Sequence, residues 1–263
     1  MRILNSAGRV AMCAIKLVYF SIVRRPYRMV IHAAMLISAV VAPPVYAHDF
    51  KVYSPYVIQG NSEIEYSGYS AEDTVPSLDG ARAYDFSVAY GVSSWWKAEV
   101  YFAQYSRDPG GKTNLTGSEF ENMFQLAAMG EYWFDPGFLV SYGHMKVSGM
   151  PDTLEFGPIV AKKIGRVNQR LNLIWEKEVG AGASGKYEFR SAYSINYRQA
   201  AAFQPGMEAY YRPNDIASQL GPVIRGEFYS SSGRELEYRI GLIFGVNSTA
   251  PDRTMVTELE YEF

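Results

Sequence analysis

The stretch Glu235-Leu-Glu-Tyr-Arg-Ile-Gly-Leu-Ile-Phe-Gly245, with Arg253-Thr-Met-Val-Thr-Glu-Leu-Glu-Tyr-Glu-Phe263 behind it, decides the fold. Leu236, Tyr238, Ile240, Leu242 and Phe244 fall on one face of an extended chain, and Glu235, Glu237, Arg239 and Gly241 on the other. Met255, Thr257, Leu259, Tyr261 and Phe263 repeat the alternation against Glu258, Glu260 and Glu262. Period two is strand spacing, because successive side chains of a strand point to opposite sides of its sheet. Tyr187, Phe189, Tyr193, Ile195 and Tyr197 alternate in the same way with Glu188, Arg190, Ser194, Asn196 and Arg198, and Leu171, Leu173 and Trp175 with Arg170, Asn172 and Glu176.

Gly-, Pro- and Asn-rich turns separate these runs. The pattern predicts twelve strands, near 61–70, 82–91, 95–106, 118–127, 137–147, 153–163, 168–178, 186–198, 206–212, 220–230, 234–245 and 253–263. No amphipathic helix stripe longer than two turns follows residue 47.

A chain of 263 residues that is 48% hydrophobic and 20% charged is too apolar to stay disordered, and 23 glycines without a period exclude a collagen-like class. Tyr 21, Phe 14 and Trp 4 make an unusual aromatic load. In a soluble sandwich the outward face is polar. Here the polar face is densely charged and the apolar face is rich in rings. Trp95, Trp96, Tyr105, Tyr132, Trp133, Tyr142, Tyr187, Tyr197, Tyr210, Tyr211, Tyr229 and Tyr261 fall near predicted strand ends, as rings at a membrane–water interface do. Closure leaves no sheet edge unpaired in lipid. The expected fold is therefore all-β: an antiparallel up-and-down transmembrane β-barrel of about 12 strands.

Residues 1–47 hold Arg2, Arg9, Lys16, Arg24, Arg25 and Arg28 and no acid. Arg24-Arg25-Pro-Tyr-Arg28, the apolar run from Met29 to Ala42, and Pro43-Pro44-Val45-Tyr46-Ala47 read as a secretory leader cut after Ala47. The start codon is Met1 with an extended basic region, or Met29. A single-pass anchor is the alternative, but the run is shorter than the ~20 residues a span requires. The leader takes six of the 25 basic residues and none of the 27 acids, so the barrel, 48–263, is acidic by eight charges. Cys13 leaves with it, so no disulfide stabilises the exported chain. The acidic balance speaks against a nucleic-acid partner.

The end of the chain, Thr257-Glu-Leu259-Glu-Tyr261-Glu-Phe263, resembles the terminal strand of bacterial outer-membrane barrels. More narrowly, Phe244-Gly-Val-Asn-Ser-Thr-Ala-Pro-Asp252, the stretch His48-Asp-Phe-Lys-Val-Tyr-Ser-Pro-Tyr56 and Glu121-Asn-Met-Phe-Gln-Leu126 resemble a proteobacterial group of outer-membrane transporters, the phenol-degradation pathway barrel family. The resemblance spans about a third of the chain. It implies the outer membrane of a Gram-negative bacterium and outer-membrane lipid as surroundings. It also implies an insertion signal at Leu259, Tyr261 and Phe263, read by the barrel-insertion machinery, and passage of a small solute. It brings no catalytic residue and no cofactor.

With the aromatic face toward lipid, the charged face lines the lumen. Glu63, Glu65, Glu235, Glu237, Glu258, Glu260 and Glu262 become neighbours on closure and form an acidic wall opposed by Arg239 alone. Arg170, Arg190, Arg198, Arg212 and Arg225 form a basic wall across the bore. Two readings stay open: walls held apart, acting as a narrow, weakly cation-selective conduit, or charges that pair and plug a structural or interaction barrel. Both ends of the barrel lie in the periplasm, which puts loops near 71–81, 107–117, 148–152, 179–185, 213–219 and 246–252 outside.

A third reading, a lipid-modifying enzyme, needs a nucleophile beside a base. Ser141 and His144 are three residues apart in a strand, so they face opposite ways. His48 and His144 are too few for a metal site, and Glu72, Asp73 and Asp79 match no calcium loop. Gly180-Ala-Gly-Ala-Ser-Gly185 and Gly110-Gly111-Lys112-Thr113 lack the helix and the ending of a phosphate loop. No catalytic, cofactor-binding or metal residue is expected.

Overall fold

The computed structural model describes residues 47–214 and 217–263. The leader and its cleavage site lie outside these residues, apart from Ala47. Among the described residues a 3-10 turn, Ala47–Phe50, precedes twelve strands. They are β1 Ser62–Glu72, β2 Arg82–Gly91, β3 Trp96–Arg107, β4 Asn114–Gln125, β5 Asp135–Met145 and β6 Asp152–Ile164, then β7 Val167–Val179, β8 Tyr187–Tyr197, β9 Gln204–Arg212, β10 Ala217–Tyr229, β11 Glu235–Gly245 and β12 Arg253–Glu262. Each pairs antiparallel with its sequence neighbours, and β1 pairs with β12, which closes the barrel. Ser62 and Phe263 exchange backbone hydrogen bonds of 3.1 and 2.9 Å, which brings both ends of the sheet to one rim, the near end. The loops after β1, β3, β5, β7, β9 and β11 lie at the far end, where the sequence places the long connections.

The outer surface is a belt of side chains that water would not favour. Phe86, Val88, Phe102, Phe120, Leu220, Ile224, Ile240, Leu242 and Met255 are all exposed on it. Their strand neighbours Asp85, Ser87, Glu99, Glu121, Arg225, Arg239 and Val256 are buried within the barrel. A closed sheet that is apolar outside and ionised inside has satisfied its backbone and exposes hydrocarbon-compatible surface, so this barrel spans a membrane with its strands. Rings stack along the belt, Tyr84 on Tyr105 at 4.9 Å and Phe156 on Trp175 at 6.4 Å.

Three local departures from the predicted strands have physical causes. β4 begins at Asn114, not near 118, because Asn114-Leu-Thr-Gly lacks apolar alternation yet pairs with Ser106 and Tyr105 of β3. The pairing of β3 with β2 and β4 shifts register between Tyr101 and Gln104. That bulge inverts the phase of β3, so Tyr101 and Gln104 are both buried although they stand three positions apart. Tyr210, expected in the outer girdle, instead points inward and is buried, since it shares its face with Glu208. Beside Tyr211, only one of two consecutive tyrosines can face lipid.

Candidate functional site: the occupied lumen

The chain before β1 runs inside the barrel. From Gly60 at the near rim, whose positive φ of 81° turns the backbone away from β1, residues 59–49 extend along the lumen toward the far end. Their contacts run along the wall. Val57 N donates to Gln125 Oε1 at 2.9 Å, and Tyr56 OH donates to Asp135 Oδ2 at 2.7 Å, both at the near end. Tyr53 meets Asn172, in the middle of β7, through both backbone groups, at 2.7 and 3.2 Å. Lys51 Nζ donates to Glu65 Oε2 at 2.8 Å and to Tyr101 OH at 2.6 Å, with Glu99 Oε1 at 3.5 Å. The Phe50 carbonyl accepts from Arg239 Nη2 at 2.8 Å and from Tyr210 OH at 3.0 Å. Asp49 ends the series in an ion pair with Arg212 at the far end of β9.

The alternation of Phe50, Lys51, Val52 and Tyr53 sends apolar and polar groups to different parts of the wall. Phe50 and Val52 pack among Tyr69, Ala71, Ala83, Val223, Ile243 and Val256, an apolar ring that fills the far half. Phe50 meets the rings of Tyr69 at 4.9 Å and Tyr210 at 5.1 Å. Tyr53 packs with Met123, Leu139, Ile159 and Ile174 on the opposite side. Gly241 leaves room for this ring, since a Cβ there would lie 2.6 Å from a Val223 methyl and 2.8 Å from one of Val256.

Register arranges the charges in rows around the wall. One row crosses four strands as Glu227, Glu237, Glu260 and Glu65, each directly opposite the next. A second, nearer the rim, runs Glu235, Glu262, Glu63. Above them lies a mixed row, Arg225, Arg239 and Glu258. Like charges directly opposed destabilise a sheet, and the structure offsets part of this. Lys97 Nζ lies 2.7 Å from Glu63, Arg198 lies 2.8 Å from Glu227, and Asn61 donates to Glu262 at 2.6 Å. Among the described residues, Glu235, Glu237, Glu260 and Glu262 carry no ion pair.

All seven carboxylates of the expected acidic wall line one cavity of ≈ 570 Å³ that reaches from the near rim to Lys51. Arg170, Arg198 and Arg225 of the expected basic wall line it too, whereas Arg190 and Arg212 border a small cleft at the far end with Glu176 and Glu188. The picture of an acidic wall opposed by Arg239 alone is corrected. Arg225 lies 3.8 Å from Glu258, Arg239 lies 3.1 Å from it, and Lys97 and Lys51 neutralise the β1 side. The basic wall is also largely spent within the barrel: Arg190 pairs with Glu155, and Arg225 and Arg239 both hold Glu208, at 2.9 and 2.7 Å. Alternation assigns a residue to the lumen but cannot reveal that another segment enters the lumen and takes up charges there.

Sequence reasoning did not place residues 49–57 inside the barrel. Their signal is faint: an alternating stretch, Phe50-Lys-Val-Tyr53, with no hairpin partner before β1. Lys51 is buried between Glu65 and Glu99, 2.8 and 3.5 Å from its nitrogen. His144 projects outward beside Asp152, 3.0 Å away, while Ser141 is buried toward the lumen. Asp73 accepts from Val75 N and Asp252 N and so ties two far-end loops together.

Leu259 and Phe263 lie exposed on the lipid face, and Phe263 stacks on Tyr261 at 5.7 Å.

Comparison of this geometry with solved structures shows the fold. The barrel resembles an outer membrane channel from Pseudomonas putida F1, with a TM-score of 0.52 and 11% identity over 83% of this chain and 98% of that one. It is also similar to the NanC porin, with a TM-score of 0.49 and 10% identity over 76% and 98%, and to the KdgM porin, with 0.47 and 7% over the same shares. No protein-family profile matches the chain, and no curated protein is similar to it in sequence.

Proposed function

We propose that this protein is an outer-membrane channel for small solutes, held narrow by its own N-terminal segment and preferring cations. The observation that carries the reading is the ≈ 570 Å³ cavity lined by charged side chains of both signs, with the acids in excess and continuous around four strands. A barrel built only for anchorage gains nothing from opposed carboxylates, which cost stability. A conduit uses them, because an acid-lined vestibule with low-dielectric walls concentrates cations at its mouth. Twelve strands enclose a bore between that of filled eight-stranded barrels and that of wide porins, and residues 49–57 narrow it further. Its location is the outer membrane of a Gram-negative cell, with both sheet ends periplasmic. Leu259, Tyr261 and Phe263 serve as the signal for the insertion machinery, and kinship with the phenol-degradation barrels belongs to the same reading.

The dense packing of Phe50 and Val52 favours a second reading, a barrel closed for good. Planar-bilayer recording separates the two. The channel reading expects conductance steps in the wild type, larger steps when residues 49–53 are replaced by Gly and Ser, and cation over anion selectivity. Silence from both proteins, with the barrel folded, overturns it.

A further inference from the structure

The way the barrel grips Lys51 identifies a binding site that the lysine itself occupies. One nitrogen meets three acceptors, Glu65, Glu99 and Tyr101, at 2.8, 3.5 and 2.6 Å. Three acceptors around a point charge suit the three N–H bonds of a primary ammonium group, not the planar fork of a guanidinium. The seat belongs to the wall and is held by the wall: Ser87 Oγ donates to Glu99 Oε1 at 2.6 Å, and Glu65, Glu99 and Tyr101 are all buried on β1 and β3.

If residues 49–53 withdraw, Lys97 remains as the cation beside Glu99, at 4.0 Å, and it is already engaged by Glu63. Glu65, which lines the cavity, is left facing it without its ammonium partner. A ligand cation that takes the place of Lys51 restores that pairing. From the seat the row of carboxylates continues across two strand spacings, roughly 10 Å, as Glu65, Glu260 and Glu237. The last two carry no ion pair among the described residues and line the same cavity. We propose that this seat and row form a binding site for aliphatic diamines, one ammonium group taking the place of that of Lys51 and the other reaching Glu260 and Glu237. The inference rests on the channel reading, for which it names the solute class.

Calorimetry on the full barrel in detergent tests it with 1,5-diaminopentane as probe. Lys51→Ala empties the seat, and Lys51→Met is the second variant, which keeps the apolar stem. Heat-modifiable migration on a gel reports folding. The expected result is that these variants bind the diamine at least about tenfold more tightly than wild type, one to one, and lose at least about tenfold when Glu65→Gln and Glu99→Gln are added. Equal affinity in wild type and the Lys51 variants overturns the site, as does binding indifferent to Glu65→Gln and Glu99→Gln. Calcium that competes with the diamine at equal concentration also overturns it, since the row would then be a metal site, for which Glu63, Glu260 and Glu262 lie close enough together. Bilayer recording keeps the two ideas apart. Diamine binding without conductance supports the site and sinks the channel, while conductance without diamine binding sinks the site alone.

Discussion

The two halves of the lumen are made by the same strands and solve opposite problems. In the far half, Phe50 and Val52 enter a ring of Tyr69, Val223, Ile243 and Val256, and Glu208 lies between Arg225 and Arg239 with no solvent exposure. In the near half, the same wall carries three opposed carboxylate contacts in one row and an open cavity. The far half is built as a protein core and the near half as a solvated, charged chamber. The difference teaches that dense packing and exposed charge can be separated along the axis of one barrel. A filled half supplies the stability that the repelling half gives up.

Substitutions sharpen that contrast. The largest effect belongs to Glu208→Ala, which takes from the buried pair Arg225 and Arg239 the carboxylate that both hold and leaves them sharing Glu258. Chemical unfolding of the folded barrel in micelles should show a loss of about 3–5 kcal/mol, and a loss below that of a surface substitution would deny the far half its role as core. Ile243→Val removes one methylene group from the apolar ring and should cost about 0.5–1.5 kcal/mol in the same assay. In the near half the sign should reverse. The double change Glu237→Gln and Glu260→Gln relieves like-charge opposition and should stabilise the barrel by about 0.2–1 kcal/mol, while reversal-potential measurements show cation preference falling. Destabilisation there would mean that these carboxylates are structural.

The smallest expected effect is none at all. Lys51 is held as an ammonium group by Glu65 and Glu99, and an ordinary lysine keeps its proton up to about pH 10, so neutral to mildly alkaline pH leaves the pairing in place. Conductance between about pH 7 and 9 should therefore not rise through release of the segment. A reversible opening in that interval would show that something other than Lys51 holds it.

Much of the barrel was legible from residues alone. Period-two alternation at Leu236–Phe244 and Met255–Phe263 dictates strands, and the segregation of Phe, Tyr and Trp from Glu and Arg dictates which face meets lipid, because both follow from local geometry and transfer energetics. Glu227, Glu237, Glu260 and Glu65 could be placed in the lumen by parity. That they stand in one row could not, since opposition across strands depends on register, which shifts with every bulge. Tyr210 and Tyr211 show the limit of parity: consecutive tyrosines look alike until Glu208 and the Phe50 carbonyl claim one of them.

Sequence by itself determined the element type, the all-β class, the membrane-facing surface and the acidic character of the interior, each a property of side chains along a few successive positions. Only the tertiary structure decided what the interior contains. Residues 49–57 meet Arg212, Arg239, Lys51's partners on β1 and β3, and Asn172 across separations of up to 189 positions. Such contacts exist only once closure brings every strand to a common axis, and no local pattern encodes that convergence.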